Sequence, residues 1–143
     1  MATAPPCLSS NIRIGCAGWS IPRQHAHLFG DGDSMLARYA TRFDLAEVNS
    51  SFYRPHQRKT WERWAASVPA RFRFTAKLPQ EISHERALRG CVACLSRFLD
   101  EVGGLGDKLA ALLLQLPRSR PLEASVAARF FAQLRARYEG PFA

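Results

Sequence analysis

The sequence has no apolar run approaching the ~20 residues that a bilayer-spanning helix requires, so a membrane is not an expected partner. Its start, Met1-Ala-Thr-Ala-Pro-Pro-Cys7-Leu8, has neither a basic cluster nor an apolar stretch, and no signal peptide is expected. Without an export signal, Cys7, Cys16, Cys91 and Cys94 are expected to stay reduced in a cytoplasmic protein. Glycine loops of the Walker or dinucleotide-binding type are missing. His25, His27 and His56 have no second ligand at helix or strand spacing, which leaves a metal site without support, and no cofactor is implied. Runs of five or more like charges are also lacking. The net charge of +8 is mostly arginine, yet Arg38, Arg42, Arg63, Arg97, Arg129, Arg135 and Arg137 fall mostly on the polar faces of predicted helices. A solvated basic surface accounts for that dispersion better than a nucleic-acid-binding stripe, so nucleic acid is a weakly supported partner.

The chain does contain enough apolar residues for one core: 143 residues, 47% hydrophobic and 10% aromatic. Residues 1–11 are expected to form a flexible leader and residues 12–143 one domain. Apolar patterning predicts strands over 12–15, 45–48, 72–77 and 109–116, the last a nearly unbroken run suited to a parallel strand buried on both sides. Residues 21–33, with Pro22 and Gly30-Asp31-Gly32-Asp33, read as an irregular loop. A first helix is capped by Asp33 or Ser34 and carries Met35, Leu36, Tyr39 and Phe43. A second is capped by Thr60 and buries Trp61, Trp64, Ala65 and Val68. The third runs through Leu88, Cys91, Val92, Leu95, Phe98, Leu99 and Val102, which sets Cys91-Val92-Ala93-Cys94 mid-helix with its thiols in the core. The fourth starts at Pro121, presents Val126, Ala127, Phe130, Phe131 and Leu134, and stops at Gly140. Strand starts spaced by roughly 30 to 40 residues have the rhythm of right-handed βαβ units, giving either a small open sheet or the first half of an eight-unit barrel.

Polar residues gather where the strands end. Glu47 shares a strand face with Leu45 and Asn49, and a carboxylate there is costly to bury unless it is paired or faces a wet cavity. Gly18 and Trp19 follow the first strand, Lys77 ends the third and Gln115 lies near the end of the fourth. In a parallel barrel these ends surround one mouth. Glu47 is then a candidate general base or metal ligand, Lys77 an anion clamp or an acid, and Asn49 and Gln115 substrate-orienting amides. The alternative is a structural Glu47–Lys77 ion pair closing the top of the barrel. His84, after the third strand, is either an acid/base at the same mouth or a solvated loop histidine.

The segments Ile14-Gly15-Cys16-Ala17-Gly18-Trp19, Glu47-Val48-Asn49-Ser50-Ser51-Phe52-Tyr53, Phe72-Arg73-Phe74-Thr75-Ala76-Lys77-Leu78-Pro79 with Ile82-Ser83-His84, and Leu112-Leu113-Leu114-Gln115-Leu116-Pro117 resemble successive motifs of the YecE-like family. The resemblance implies an α/β fold in which this chain supplies the first four β/α units of a TIM-like (β/α)8 barrel, truncated before the fifth strand. It implies no particular reaction. The ligand set expected at the mouth is Gly18, Trp19, Asn49, Tyr53 and Gln115, with Glu47, Lys77 and His84 as the catalytic candidates. Three functions follow as expectations: a barrel binding a small anionic or phosphorylated ligand, a basic nucleic-acid-binding module, or a non-functional truncated remnant. Open sheet edges on the first and fourth strands would also favour self-association.

Overall fold

The computed structural model describes residues 12–143; the expected leader over residues 1–11 lies outside the described residues. Strands β1 (Gly15–Ala17), β2 (Leu45–Val48), β3 (Arg73–Lys77) and β4 (Leu109–Leu113) alternate with helices α1 (Met35–Tyr39), α2 (Arg58–Ala66), α3 (Val92–Val102) and α4 (Ala124–Arg135). All the pairings are parallel, and the order across the sheet is β1-β2-β3-β4. Strands laid down in sequence order keep successive crossover helices on one face, as in a barrel, whereas a doubly wound sheet reverses its order midway.

Alternation along the strands divides the two faces. Ala46, Val48, Phe74, Ala76 and Leu112 are fully buried and join a core with Leu36, Trp61, Leu95, Phe98, Phe130 and Leu134 from the four helices. Leu45, Glu47, Thr75, Lys77, Ala111 and Leu113 point the other way and stay half-buried. Among the described residues no helix covers them. The register places Glu47 beside Thr75, Thr75 beside Ala111, and Lys77 beside Leu113.

At β1 the chains approach closely. A Cβ on Gly15 would overlap the Leu45 carbonyl, so only glycine fits opposite it. Tyr39 reaches in from α1: its hydroxyl accepts from the Cys16 N–H at 2.7 Å and donates to the Leu45 carbonyl at 3.0 Å, standing within the β1–β2 ladder. Burial there pushes the phenol up to about 12.

Several expectations shift. The first strand lies at Gly15–Ala17 rather than 12–15, and Ile12 and Ile14 are 76% and 70% exposed, because pairing with β2 begins only at Gly15. Residues 23–28 of the expected loop form 3-10 turns. Ser34 does cap α1, accepting from the Ala37 N–H at 3.1 Å. Thr60 caps nothing: α2 begins at Arg58 after Gln57, and Trp61 is its fully buried residue while Trp64 is only half-buried. The Cys-x-x-Cys pair is not mid-helix, since Cys91 is the residue before α3 and Cys94 lies in its first turn. Both thiols are nevertheless buried, and burial together with Cys94 pushes the Cys91 thiol up to about 12, away from thiolate chemistry. Helix α4 starts at Ala124, not Pro121. Strand β4 ends at Leu113 and buries only Leu112, because one of its faces has no helix against it. Its outer edge is not bare either. The Leu112 and Leu114 N–H groups donate to the carbonyls of Pro141 and Ala143, and Ala143 N–H returns to Leu112, so residues 141–143 lie along β4 with one isolated parallel bridge, Leu112 to Phe142.

Candidate functional site

The rim at the C-terminal ends of the strands is fastened by short turns. Gly18, with φ of 78°, turns the chain out of β1 while its N–H donates to the Glu47 carbonyl at 2.8 Å. After β2, the Asn49 carbonyl accepts from Phe52 N–H and opens the 3-10 turn Ser50–Phe52. Ser51 is buried in that turn, its hydroxyl 2.8 Å from the Val48 carbonyl and 2.7 Å from the Lys77 carbonyl. The ends of β2 and β3 are thereby held together. Phe52 then becomes the hub of the rim. The Lys77 Nζ lies 4.4 Å from its ring centroid, and the rings of Tyr53 and His84 meet it edge-on at 4.9 and 5.0 Å.

His84 is therefore no free loop side chain. It sits in the wide helical turn Glu81–Glu85, its ring packed on Phe52 and its Nδ1 2.8 Å from the hydroxyl of buried Ser83. Glu47 and Asn49 occupy the same rim one strand over, both half-exposed, and the Asn49 amide has no hydrogen-bond partner among the described residues. No ion pair joins Glu47 to Lys77; the charged pairs among the described residues are Arg13–Asp44, Arg58–Glu62, Arg89–Glu123, and Glu81 with Arg86 and Arg97. Neither side chain has a charged partner among the described residues. Tyr53 is 65% exposed at the edge of the rim, and Gln115 is exposed two residues beyond β4. Among the described residues no cluster of three ligating side chains could hold a metal.

Trp19 departs from expectation. The turn at Gly18 sends it to the helix side, where it packs edge-on against Trp64 at 5.1 Å and Phe74 at 6.4 Å. It is part of the core margin rather than a surface for a ligand.

Two features escaped the sequence reading. His56 lies 2.8 Å from the Ser50 hydroxyl through Nε2, with its ring against Trp61 and Trp64. Burial, and secondarily the Arg54 charge, push its pKa down and favour the neutral imidazole. Phe52 also went unassigned, although it stands inside the quoted Ser51-Phe52-Tyr53 segment; a phenylalanine after a strand carries no chemical signal of its own.

Comparison with known proteins places this arrangement. The family model described as "Protein of unknown function DUF72" matches residues 13–142. The chain is 34% identical over 106 residues to the UPF0759 protein YecE of Escherichia coli K12, a match covering 74% of this chain and 38% of that relative. The YecE protein of Escherichia coli O157:H7 matches equally. Among solved structures, a DUF72 family protein from Enterococcus faecalis V583 superposes with a TM-score of 0.73 at 25% identity, covering 91% of this chain and 48% of the other. One from Thermotoga maritima MSB8 shares the fold with a TM-score of 0.66 at 19% identity, over 91% and 53% of the two chains. This chain therefore spans well under two thirds of the length of these relatives.

Proposed function

The chain belongs to the DUF72 family, as its motifs led one to expect, and we propose that its rim binds a small anionic or phosphorylated ligand. The observation that carries this reading is the absence of an ion pair between Glu47 and Lys77: a carboxylate and an ammonium on neighbouring strands of a face without helix cover, each left for a partner. Lys77, steadied over the Phe52 ring, is the anion clamp. Glu47 acts as general base or hydrogen-bond acceptor for the ligand's polar end, the free Asn49 amide orients it, and His84 is placed to exchange a proton at the same edge. Tyr53 and Gln115 border the opening.

Thermal-shift titration with a panel of phosphorylated sugars and small dicarboxylates tests the reading. A ligand that raises the melting temperature of the native chain should leave Glu47→Gln and Lys77→Ala unshifted. Shifts of equal size in both variants would remove these residues from the site.

A second reading concerns assembly. Among the described residues the outer edge of β1 has no partner strand, Ile12 and Ile14 are exposed beside it, and one sheet face lacks helix cover. Unpaired strand edges and half-exposed leucines favour association with another polypeptide that completes the sheet. Light scattering on the purified chain decides this, and a monodisperse 16.0 kDa species would contradict it.

A further inference from the structure

Beside the rim, a cavity of about 270 Å³ opens between the loop after β3 and the loop after β4; buried Ser83, the hydroxyl partner of His84, is in its lining, whereas Glu47 and Lys77 are not. Leu88, Leu116, Pro121 and Val126 form an apolar wall, and Leu122, 62% exposed, extends it at the mouth. Arg89 and Arg120 line the same space. Arg89 donates to Glu123 at 2.6 Å, tying the two loops together across the opening, and these two charges cancel. Arg120 has no acidic partner among the described residues, so the cavity is left with one uncompensated guanidinium.

The loop after β3 adopts a strained path to build this wall. Ala87 and Leu88 both take positive φ, 48° and 66°, a conformation that costs a residue with a Cβ about 1–2 kcal/mol. The strain is held in place by the Leu88 N–H bond to the Ile82 carbonyl at 2.9 Å and by burial of the Leu88 side chain. Such a path persists only where the surroundings over-determine it, and here it preforms the side of a pocket.

We propose that this cavity is a second binding site, for a small molecule that joins an apolar body to one anionic group. The body lies against Leu88, Pro121 and Val126, and the anion meets the Arg120 guanidinium. With the Arg89 and Glu123 charges cancelled, Ser83 the neutral polar group and the rest of the wall largely apolar, one uncompensated cation selects that ligand class over neutral or cationic ones.

Isothermal titration calorimetry of the full chain at low ionic strength, with phenyl phosphate, benzoate and neutral benzyl alcohol as probes, tests this. At least one of the two anions should bind saturably, and the comparison between them tells phosphate from carboxylate preference; benzyl alcohol should bind at least tenfold more weakly. Arg120→Ala, at an exposed position, should weaken the anion about tenfold, the size of a lost charged hydrogen bond. Val126→Trp should fill the cavity and abolish binding, while Lys77→Ala leaves it unchanged. Absence of saturable binding of either anion to the native chain, or undiminished affinity in Arg120→Ala, would overturn the proposal. Loss in Lys77→Ala with Arg120→Ala unaffected would move the anion to the rim, refuting the second site while supporting the first.

Discussion

On the face of the sheet that meets the helices, Ala46, Val48, Phe74, Ala76 and Leu112 are fully buried, whereas Leu45, Glu47, Thr75, Lys77 and Leu113 on the same strands stay half-exposed. The strands are identical; what differs is the partner layer. Helices α2 and α3 dry one face with Trp61, Leu95 and Phe98, and every strand residue pointing there is apolar. The opposite face tolerates a carboxylate and an ammonium because neither is forced out of water. A single set of strands can thus carry stability on one side and chemistry on the other, and substitutions on the two sides should behave differently.

The largest effect is expected on the covered face. Trp61→Ala removes a side chain of 0% exposure that touches His56, Trp64 and Phe98, and should cost about 3–5 kcal/mol by chemical denaturation. Thr75→Ala, on the other face of the adjoining strand, should change stability by no more than ~0.5 kcal/mol. Comparable losses in the two variants would mean that both faces are dry in solution, as when a second chain covers the sheet.

Tyr39→Phe comes next. It keeps the buried ring and removes only the hydroxyl, leaving Cys16 N–H and Leu45 C=O without their shared partner. A loss of about 1–3 kcal/mol is expected, with β1 amides exchanging hydrogen fastest of the four strands. If protection at Cys16 is unaltered, water has replaced the phenol and the closeness of β1 to β2 does not depend on it.

The sequence disclosed the covered face far better than the rim. Alternation in 72–77 and the apolar spacing of 126–134 are local patterns that report which side is buried, so the order of strands and helices could be read directly. Boundaries moved where the signal was not local: Ile12 and Ile14 alternate like a strand but have no partner, since β2 begins opposite Gly15. Strand-end position points to the mouth for Lys77 and His84, and the family resemblance adds Tyr53, yet their common contact, Phe52, depends on a 3-10 turn that no residue type announces. Trp19 differs from its expected place for the same reason, because a single positive φ at Gly18 decides which side of the sheet the next ring occupies. The second cavity was invisible, resting on left-handed Ala87 and Leu88 where sequence alone would look for glycine.

On the uncovered face, Glu47→Gln keeps the shape and removes the charge. Because no ion pair involves Glu47, stability should change by no more than ~0.5 kcal/mol while ligand binding at the rim is lost. A fall of several degrees in melting temperature would instead show Glu47 to be paired in solution and would erase the contrast between the faces.

The smallest effect belongs to His56, which lies between the two regions, bonded to Ser50 at the rim and packed on Trp61 in the core. Its pKa is pushed below the usual 6.5, first by burial and then by Arg54, so the unfolded chain takes up this proton at a higher pH than the folded one. The stability associated with neutral His56 is therefore complete above pH 6.5 and is lost progressively as pH falls through that value toward the lower folded one. Glu81, held under 4.5 by Arg86 and Arg97 against the opposing effect of burial, loses its contribution only at more acidic pH than this window. Glu101, raised above 4.5 by burial, works in the opposite direction as it gains its proton. Denaturation midpoints measured between about pH 5 and 7 should thus decline for the native chain and stay nearly flat for His56→Gln, whose amide can still reach the Ser50 hydroxyl. Parallel declines in the two proteins would assign the transition to another group and leave the imidazole exposed rather than enclosed.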